Sequence, residues 1–227
     1  SGVDPIDAIR MATLNAAERY GLPTFGAVAP GYQADLVLLR DLKDFEVLQV
    51  FKAGTLVAQK GEMTININER PYPLRDSVNI KWLEARDFHI RAEGPLIRVI
   101  EAKEGSLVTE NRIMGTPMGS DGLCYSDVER DILRMYVIER HRGTGNIGRG
   151  FIHGLGLKRG AIASTISHDS HNMIVVGVDD QSIFKAARHL NKIGGGLVIT
   201  LGEKIIADLP LPIGGLMSNL PAAEVNQ

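Results

Sequence analysis

The stretch Ala161 to Val178, AIASTISHDSHNMIVVGV, places five consecutive polar residues, His168-Asp169-Ser170-His171-Asn172, between two runs that read as buried strands. Ile162 and Ile166 stand among small residues on one side, and Ile174-Val175-Val176 on the other is the unbroken apolar run of a strand covered on both faces. Burying an unpartnered polar group costs about 1–3 kcal/mol, so the insert is either a turn reaching water or a set of specifically partnered groups. Its chemistry fits both. Asp169, Ser170 and Asn172 are turn formers whose side chains bond nearby backbone. Histidine carries protons near neutral pH and ligates metals, and a neighbouring carboxylate orients the ring. His168, Asp169 and His171 are therefore candidate catalytic residues, and Asn172 a candidate substrate contact. The spacing alone leaves the geometry open, because His-x-x-His shares a face in a helix and splits across an extended chain.

The 227 residues suffice for one large or two modest domains with real cores. Hydrophobic content of 44% and charged content of 23% are those of an ordinary soluble globular protein. A formal net charge of −2, with the basic residues scattered apart from Lys158-Arg159 and Arg140-His141-Arg142, argues against nucleic-acid binding. The single cysteine, Cys124, excludes an internal disulfide and a cysteine-rich zinc site, and fits a reducing cytoplasm. No run approaches the ~20 apolar residues of a membrane span, so the expectation is a soluble cytoplasmic protein.

The N-terminus reads as one helix, capped by Asp4, opened by Pro5 and ended at Gly21, with Ile6, Ile9, Thr13, Ala16, Ala17 and Tyr20 as its stripe. A helix this finished with nothing before it suggests a piece of something longer. Ala34 to Leu39 reads as a strand, and Val47 to Lys52 with Leu56 to Lys60 as a hairpin about Ala53-Gly54. Residues 62 to 80, with Asn66, Asn68, Glu69, Pro71 and Pro73, read as a linker. Strands are expected at Phe88 to Ala92, Leu96 to Ala102, Leu107 to Glu110 and Arg130 to Glu139. A helix capped by Asp179 should run to Gly194, and a hairpin should follow about Gly202-Glu203. The glycine-flanked turn Gly119-Ser120-Asp121-Gly122 makes Ser120 a weaker substrate-contact candidate. His89, His141, His153 and His189 read as surface or packing residues, His141 the least safe of them.

Two sets of motifs carry a resemblance. Asp4-Pro5-x-x-Ala8-Ile9-x-x-Ala12-Thr13-x-Asn15-x-Ala17, Gly21-Leu22, Gly26, Pro30-Gly31-x-x-Ala34-Asp35-Leu36-Val37 and the hairpin after them resemble the closing segment of amidohydrolase-superfamily enzymes, where the last barrel helix leads into a small β domain. Arg142-x-Thr144-Gly145-Asn146, Gly154-x-Gly156-Leu157-x-x-Gly160-Ala161, the histidine run with Val175-x-Gly177, and Gly194-Gly195-Gly196 are similar to the C-terminal domain of bacterial adenine deaminases.

The resemblance implies an α+β chain: residues 1–65 would hold the terminal barrel helix and small β domain strands, and residues 66–227 a mixed α/β C-terminal domain. It implies a part in purine metabolism, converting adenine and water to hypoxanthine and ammonia at a divalent metal pair, manganese or iron, that activates water. The family's ligands lie in the barrel, and no His-x-His occurs here, so this chain is expected to hold no catalytic metal site and to be inactive without the N-terminal barrel portion. Adenine, that barrel portion and further copies of the chain in a homo-oligomer are the expected partners.

Two rival readings stand beside it. Gly143-x-Gly145-x-x-Gly148 matches the dinucleotide fingerprint after the strand-like Met135 to Ile138, with Asp169 about twenty positions on, though Gly150, Gly154 and Gly156 crowd the helix it requires. The other is a non-catalytic assembly module, whose apolar tail, Leu209 to Pro221, joins subunits or packs on its own core.

Overall fold

The structure, a computed structural model, describes residues 2–66 and 77–225. Two compact units divide the chain, Ser1–Arg70 and Pro71–Gln227. Part of the expected linker, with Asn68, Glu69, Pro71 and Pro73, lies outside the described residues.

In the first unit the N-terminal segment forms two helices, α1 (Pro5–Ala12) and α2 (Leu14–Arg19), where one was expected. Asp4 caps α1 by accepting from the Ile6 amide at 2.9 Å. Thr13 breaks the run: its φ of −123° and ψ of −90° are not helical. Its hydroxyl donates to the Ile9 carbonyl at 2.6 Å, the side-chain competition that Thr offers a helix backbone. A four-stranded antiparallel sheet follows in chain order: β1 (Leu36–Leu39), β2 (Val47–Lys52), β3 (Thr55–Gln59) and β4 (Glu62–Met63). The β2–β3 hairpin turns at Ala53-Gly54, as its sequence indicates. β4 falls where only linker was expected. Asp35 locks the hairpin, accepting from the Ala53 amide at 2.8 Å and from the Lys52 ammonium, which holds its carboxyl down at about 2.

The second unit is a mixed α/β layer built on an eight-stranded sheet. The first expected strand, Phe88 to Ala92, does not form: Phe88 ends a 3₁₀ turn, Ala85–Phe88, and enters the core, and Arg91 makes only an isolated bridge to Leu123. Then come β5 (Leu96–Glu101), β6 (Glu110–Gly115), β7 (Leu133–Ile138), β8 (Ile147–His153), β9 (Ala161–Ser164), β10 (Met173–Gly177), α3 (Asp180–Ile193), β11 (Gly196–Leu201), β12 (Lys204–Pro210) and a terminal turn of helix, α4 (Ala222–Val225). Across the sheet the order is β12-β11-β9-β10-β7-β8-β5-β6, antiparallel except for the β5–β8 pair. Leu107 and Val108, expected in a strand, are exposed and precede β6. Few helices and large sheets make the chain α+β.

α3 follows its local signals. Asp179 accepts from the Ser182 amide at 2.8 Å at one end, and Gly194 takes the left-handed φ of 79° at the other. Its inner face, Ile183, Ala186, Ala187 and Leu190, packs on Ala163, Val175, Val198 and Tyr136 of the sheet. The buried Arg134 on β7 binds Asp180 at 2.5 Å and the Val178 carbonyl, tying the sheet to the start of α3.

β8 is the element sequence reasoning missed. The glycines of the apparent dinucleotide fingerprint lead into this strand, which pairs antiparallel with β7 from Ile138↔Ile147 to Leu133↔Ile152. No helix opens there to receive a pyrophosphate, and the nucleotide-binding reading loses its structural basis. No described helix is long and apolar enough to cross a membrane.

Candidate functional site

β9 and β10 are adjacent antiparallel strands, registered Ile174↔Ser164 to Gly177↔Ala161, and the histidine run is their connection. His168, Asp169 and Ser170 form an exposed turn, while His171 and Asn172 are half-buried on the way into β10. The His168 and His171 rings meet edge to face, with centroids 5.1 Å apart. The His171 amide donates to Ser167 O at 2.5 Å, and the Asn172 amide to Ser170 Oγ at 3.3 Å. These are turn bonds of the type its residues favour. Two features exceed a plain turn. His171 sits at φ 50°, uncommon for a residue with a Cβ. Its Nδ1, and Oδ1 of Asn172, are buried without a hydrogen-bond partner among the described residues.

The base of this loop is Arg140, just past the end of β7 and 1% exposed. Its guanidinium donates to four carbonyls from three segments: Thr165 at 3.4 Å and His171 at 2.5 Å at the two ends of the β9–β10 connection, Ser77 at 3.3 Å, and Gly214 at 3.1 Å. Burial without a carboxylate among these partners lowers its pKa from the ordinary guanidinium value. Space for it comes from Gly215, where a Cβ would stand 2.7 Å from Nη1. Thr165 closes the arrangement, donating to the Gly215 carbonyl at 2.5 Å and accepting from the Gly196 amide at 2.7 Å. In the sequence Arg140 stands out only as part of a dense basic spot, Arg140-His141-Arg142. The signal available was its place at the end of an apolar strand.

Beside it, the Glu139 carboxylate accepts from the amides of Thr144, Arg142 and His141 at 3.0, 2.8 and 2.6 Å, folding the β7–β8 connection back on itself. Those bonds hold its pKa down at about 2. The same connection carries His141, whose Nε2 lies 2.9 Å from the Ser170 carbonyl and so carries the proton. The sequence candidates His168, Asp169, His171 and Asn172 thus stand together, joined by Arg140 and His141.

Ser120 stands apart. It is exposed in its turn, whose Asp121 binds Tyr125 at 2.6 Å. Tyr125 lies against Arg134, whose register partner is Gly177, so this turn belongs to the far end of β10.

Nothing in this arrangement suits a metal pair. Among the described residues no three of His, Cys, Asp and Glu come together as ligands, and only a T-shaped histidine pair with an exposed aspartate is available at the loop.

Comparison with known families assigns the segment that carries this loop. The family described as adenine deaminase C-terminal domain matches residues 106–227, more than half of the chain. The chain belongs to the adenine deaminase C-terminal domain family. That match takes in β6 through α4, hence the histidine loop, Arg140 and α3. The amidohydrolase family matches residues 1–57, which hold both N-terminal helices and β1 to β3. Among curated relatives, the adenine deaminase of Nitratidesulfovibrio vulgaris (strain DP4) is 43% identical over 227 residues, all of this chain and 39% of its own length. The adenine deaminase of Methanothrix thermoacetophila is 45% identical over 226 residues, 99% of this chain and 39% of its own length. That of Kosmotoga olearia is 43% identical with the same coverage. The chain therefore spans about two fifths of the length of these adenine deaminases.

Proposed function

We propose that this chain is the C-terminal portion of a metal-dependent adenine deaminase, which hydrolyses adenine to hypoxanthine and ammonia. In this reading α1 and α2 are the end of an amidohydrolase barrel, β1 to β4 belong to its small β domain, and the second unit supports the active site. Two family matches in this order support it, as do adenine deaminase relatives aligned over the whole chain. Apolar residues left exposed on the helices, Ile6, Met11 and Tyr20, suit a surface that a barrel would bury.

The metal pair, manganese or iron in this family reading, does not fit the donors of the described residues. The N-terminal portion would hold it, and this chain alone would be inactive. What this chain supplies is the loop. Exposed His168 and Asp169 can reach a substrate and carry a proton at the imidazole or carboxylate. Half-buried His171 and Asn172 offer a ring nitrogen and an amide oxygen, groups suited to the amine donor and nitrogen acceptors of adenine's edge. The observation that carries the reading is the pair of unpartnered atoms, His171 Nδ1 and Asn172 Oδ1, on a loop anchored by Arg140. Both atoms are closed off from solvent in this structure, so substrate or the barrel portion supplies a partner, and relieves the cost of about 1–3 kcal/mol for each, only when the loop shifts to admit it. Ser120 has no part in this proposal.

The rival is a structural strand connection, favoured by the Ser170–Asn172 turn bond. The test compares kcat/KM for adenine in the full-length enzyme with that of His171→Ala, with metal content and melting temperature measured in both. A fall of ~100-fold or more, about 2.7 kcal/mol of transition-state stabilisation, at unchanged metal and melting temperature is expected. A change of a few-fold leaves the loop a strand connection.

A further inference from the structure

The outer face of α3, turned away from the sheet, carries one sign of charge. Beyond Asp180 the helix contains no carboxylate, and Lys185, Arg188 and Lys192 follow one another at spacings of three and four, so their side chains share a face. A face meant only for water mixes signs, because like charges at these spacings repel. The helix dipole accounts for Lys192 in the last turn, but not for the other two. Nearby carboxylates do not balance the set. Lys185 reaches Glu203 at 3.6 Å, and the Asp208 carboxylate is taken by His189 at 2.6 Å. Arg188 and Lys192 have neither an ion pair nor a hydrogen bond among the described residues.

These cations floor a cleft of about 610 Å³ that lies wholly within the second unit, between α3 and the segment at residues 80–83. Its wall is Trp82, the one tryptophan of the chain, 75% exposed although its neighbour Leu83 is buried in the core. Tryptophan is ordinarily largely buried. Burial does not place it here; Arg188 does. The guanidinium stands 5.4 Å from the centroid of the Trp82 ring and 5.4 Å from that of Phe184, held by cation–π attraction to both. Its N–H groups are left unpaired at the edge of the guanidinium plane, the geometry that suits an oxyanion.

An open aromatic plate beside three cations recognises a molecule that is part aromatic ring and part anion. The cleft has the ordinary volume of a small-ligand site. Stacking on an aromatic side chain holds a nucleobase by its π-face, whatever its identity. Three cations less the Glu203 carboxylate leave two positive charges, matched by the charge of about −2 on a phosphate monoester. We infer that this cleft binds a nucleoside monophosphate, its base against Trp82 and its phosphate on Arg188, Lys185 and Lys192. The inference stands independently of the enzymatic reading.

Isothermal titration calorimetry of AMP into the 227-residue chain tests it, with the fluorescence of its one tryptophan as a second, local readout. A Kd below about 100 µM is expected at about 50 mM salt, with quenching of the indole. Adenosine, which lacks the phosphate, and ribose 5-phosphate, which lacks the base, should each bind at least ~10-fold more weakly. Arg188→Met keeps an unbranched stem against the two rings and removes the donors. Because Arg188 is exposed, the variant is expected to fold with a little-changed melting temperature and to bind AMP ~10-fold more weakly or worse. No binding up to about 1 mM, or a Kd indifferent to Arg188→Met, overturns the site. Adenosine or ribose 5-phosphate binding as tightly as AMP overturns the nucleotide assignment. The full-length protein is expected to show the same Arg188-dependent binding. Its absence there would mean that the rest of the protein covers the cleft, which overturns the site as well.

Discussion

Among the described residues of Ser1–Arg70, Ala17 alone is buried; in Pro71–Gln227 the core between the sheet and α3 encloses Phe88, Tyr136, Ile183 and Leu190 completely. The two units are equally well specified at short range. Each has a helix with an aspartate cap, Asp4 or Asp179, and a hairpin whose turn residues match its geometry. What separates them is the second layer. α3 lies across its sheet and shields the apolar stripe it presents, whereas Ile6, Val37 and Leu38 in the first unit stay in contact with water. Secondary structure forms on local signals, but cohesion comes from two apolar faces closing on each other.

This contrast can be broken by measurement. Leu190→Ala removes a fully buried side chain between α3 and the sheet and is expected to cost 2–5 kcal/mol in urea unfolding, whereas Leu38→Ala, half exposed on β1, should stay within about 0.5 kcal/mol. Equal costs would mean that the first unit has a core of its own. Arg140→Met strands four carbonyls at the base of the histidine loop and is expected to cost about 3 kcal/mol. A loss below about 1 kcal/mol would reduce the arginine to a packing residue. The smallest effect is at Glu139. Its folded pKa of about 2 lies below its ordinary 4.5, so the carboxylate contributes stability above pH 4.5 that disappears as pH falls toward 2. Glu139→Gln should flatten the urea midpoint against pH in that window, relative to wild type. An unchanged slope would show that the three amide bonds are equally available in the unfolded chain.

The α3 helix, the β2–β3 and β11–β12 hairpins and the polar turn at His168 are legible in the sequence because each depends on neighbours a few residues away. β8 was not. Its Gly148 and Gly150 depress strand propensity, and only the ladder to β7, a tertiary fact, makes it a strand. Phe88 reads as strand by its hydrophobicity, yet its place is set by Tyr136, which donates to its carbonyl at 2.6 Å and meets its ring edge-on. The first helix stripe carries through Thr13 without announcing the hydroxyl bond that interrupts it. At the candidate site the residue types were visible and the fastening was not: Arg140 gathers Ser77, Thr165, His171 and Gly214, and no periodicity relates those positions. The assembly reading left the tail either between subunits or on its own core; Leu211 is buried and Met217 exposed, so the tail packs at least partly on its own domain.

Arg140 is also a mooring point. The segment at Ser77, both ends of the β9–β10 connection and the tail are made fast to one guanidinium, and the last of them is held at Gly214. A protease that trimmed the tail before Gly214 would cast off one line and remove the small residue that lets the arginine sit where it does. The histidine loop would then slacken although no bond within it had been cut. The integrity of the tail, far along the sequence, is thereby written into the posture of His171.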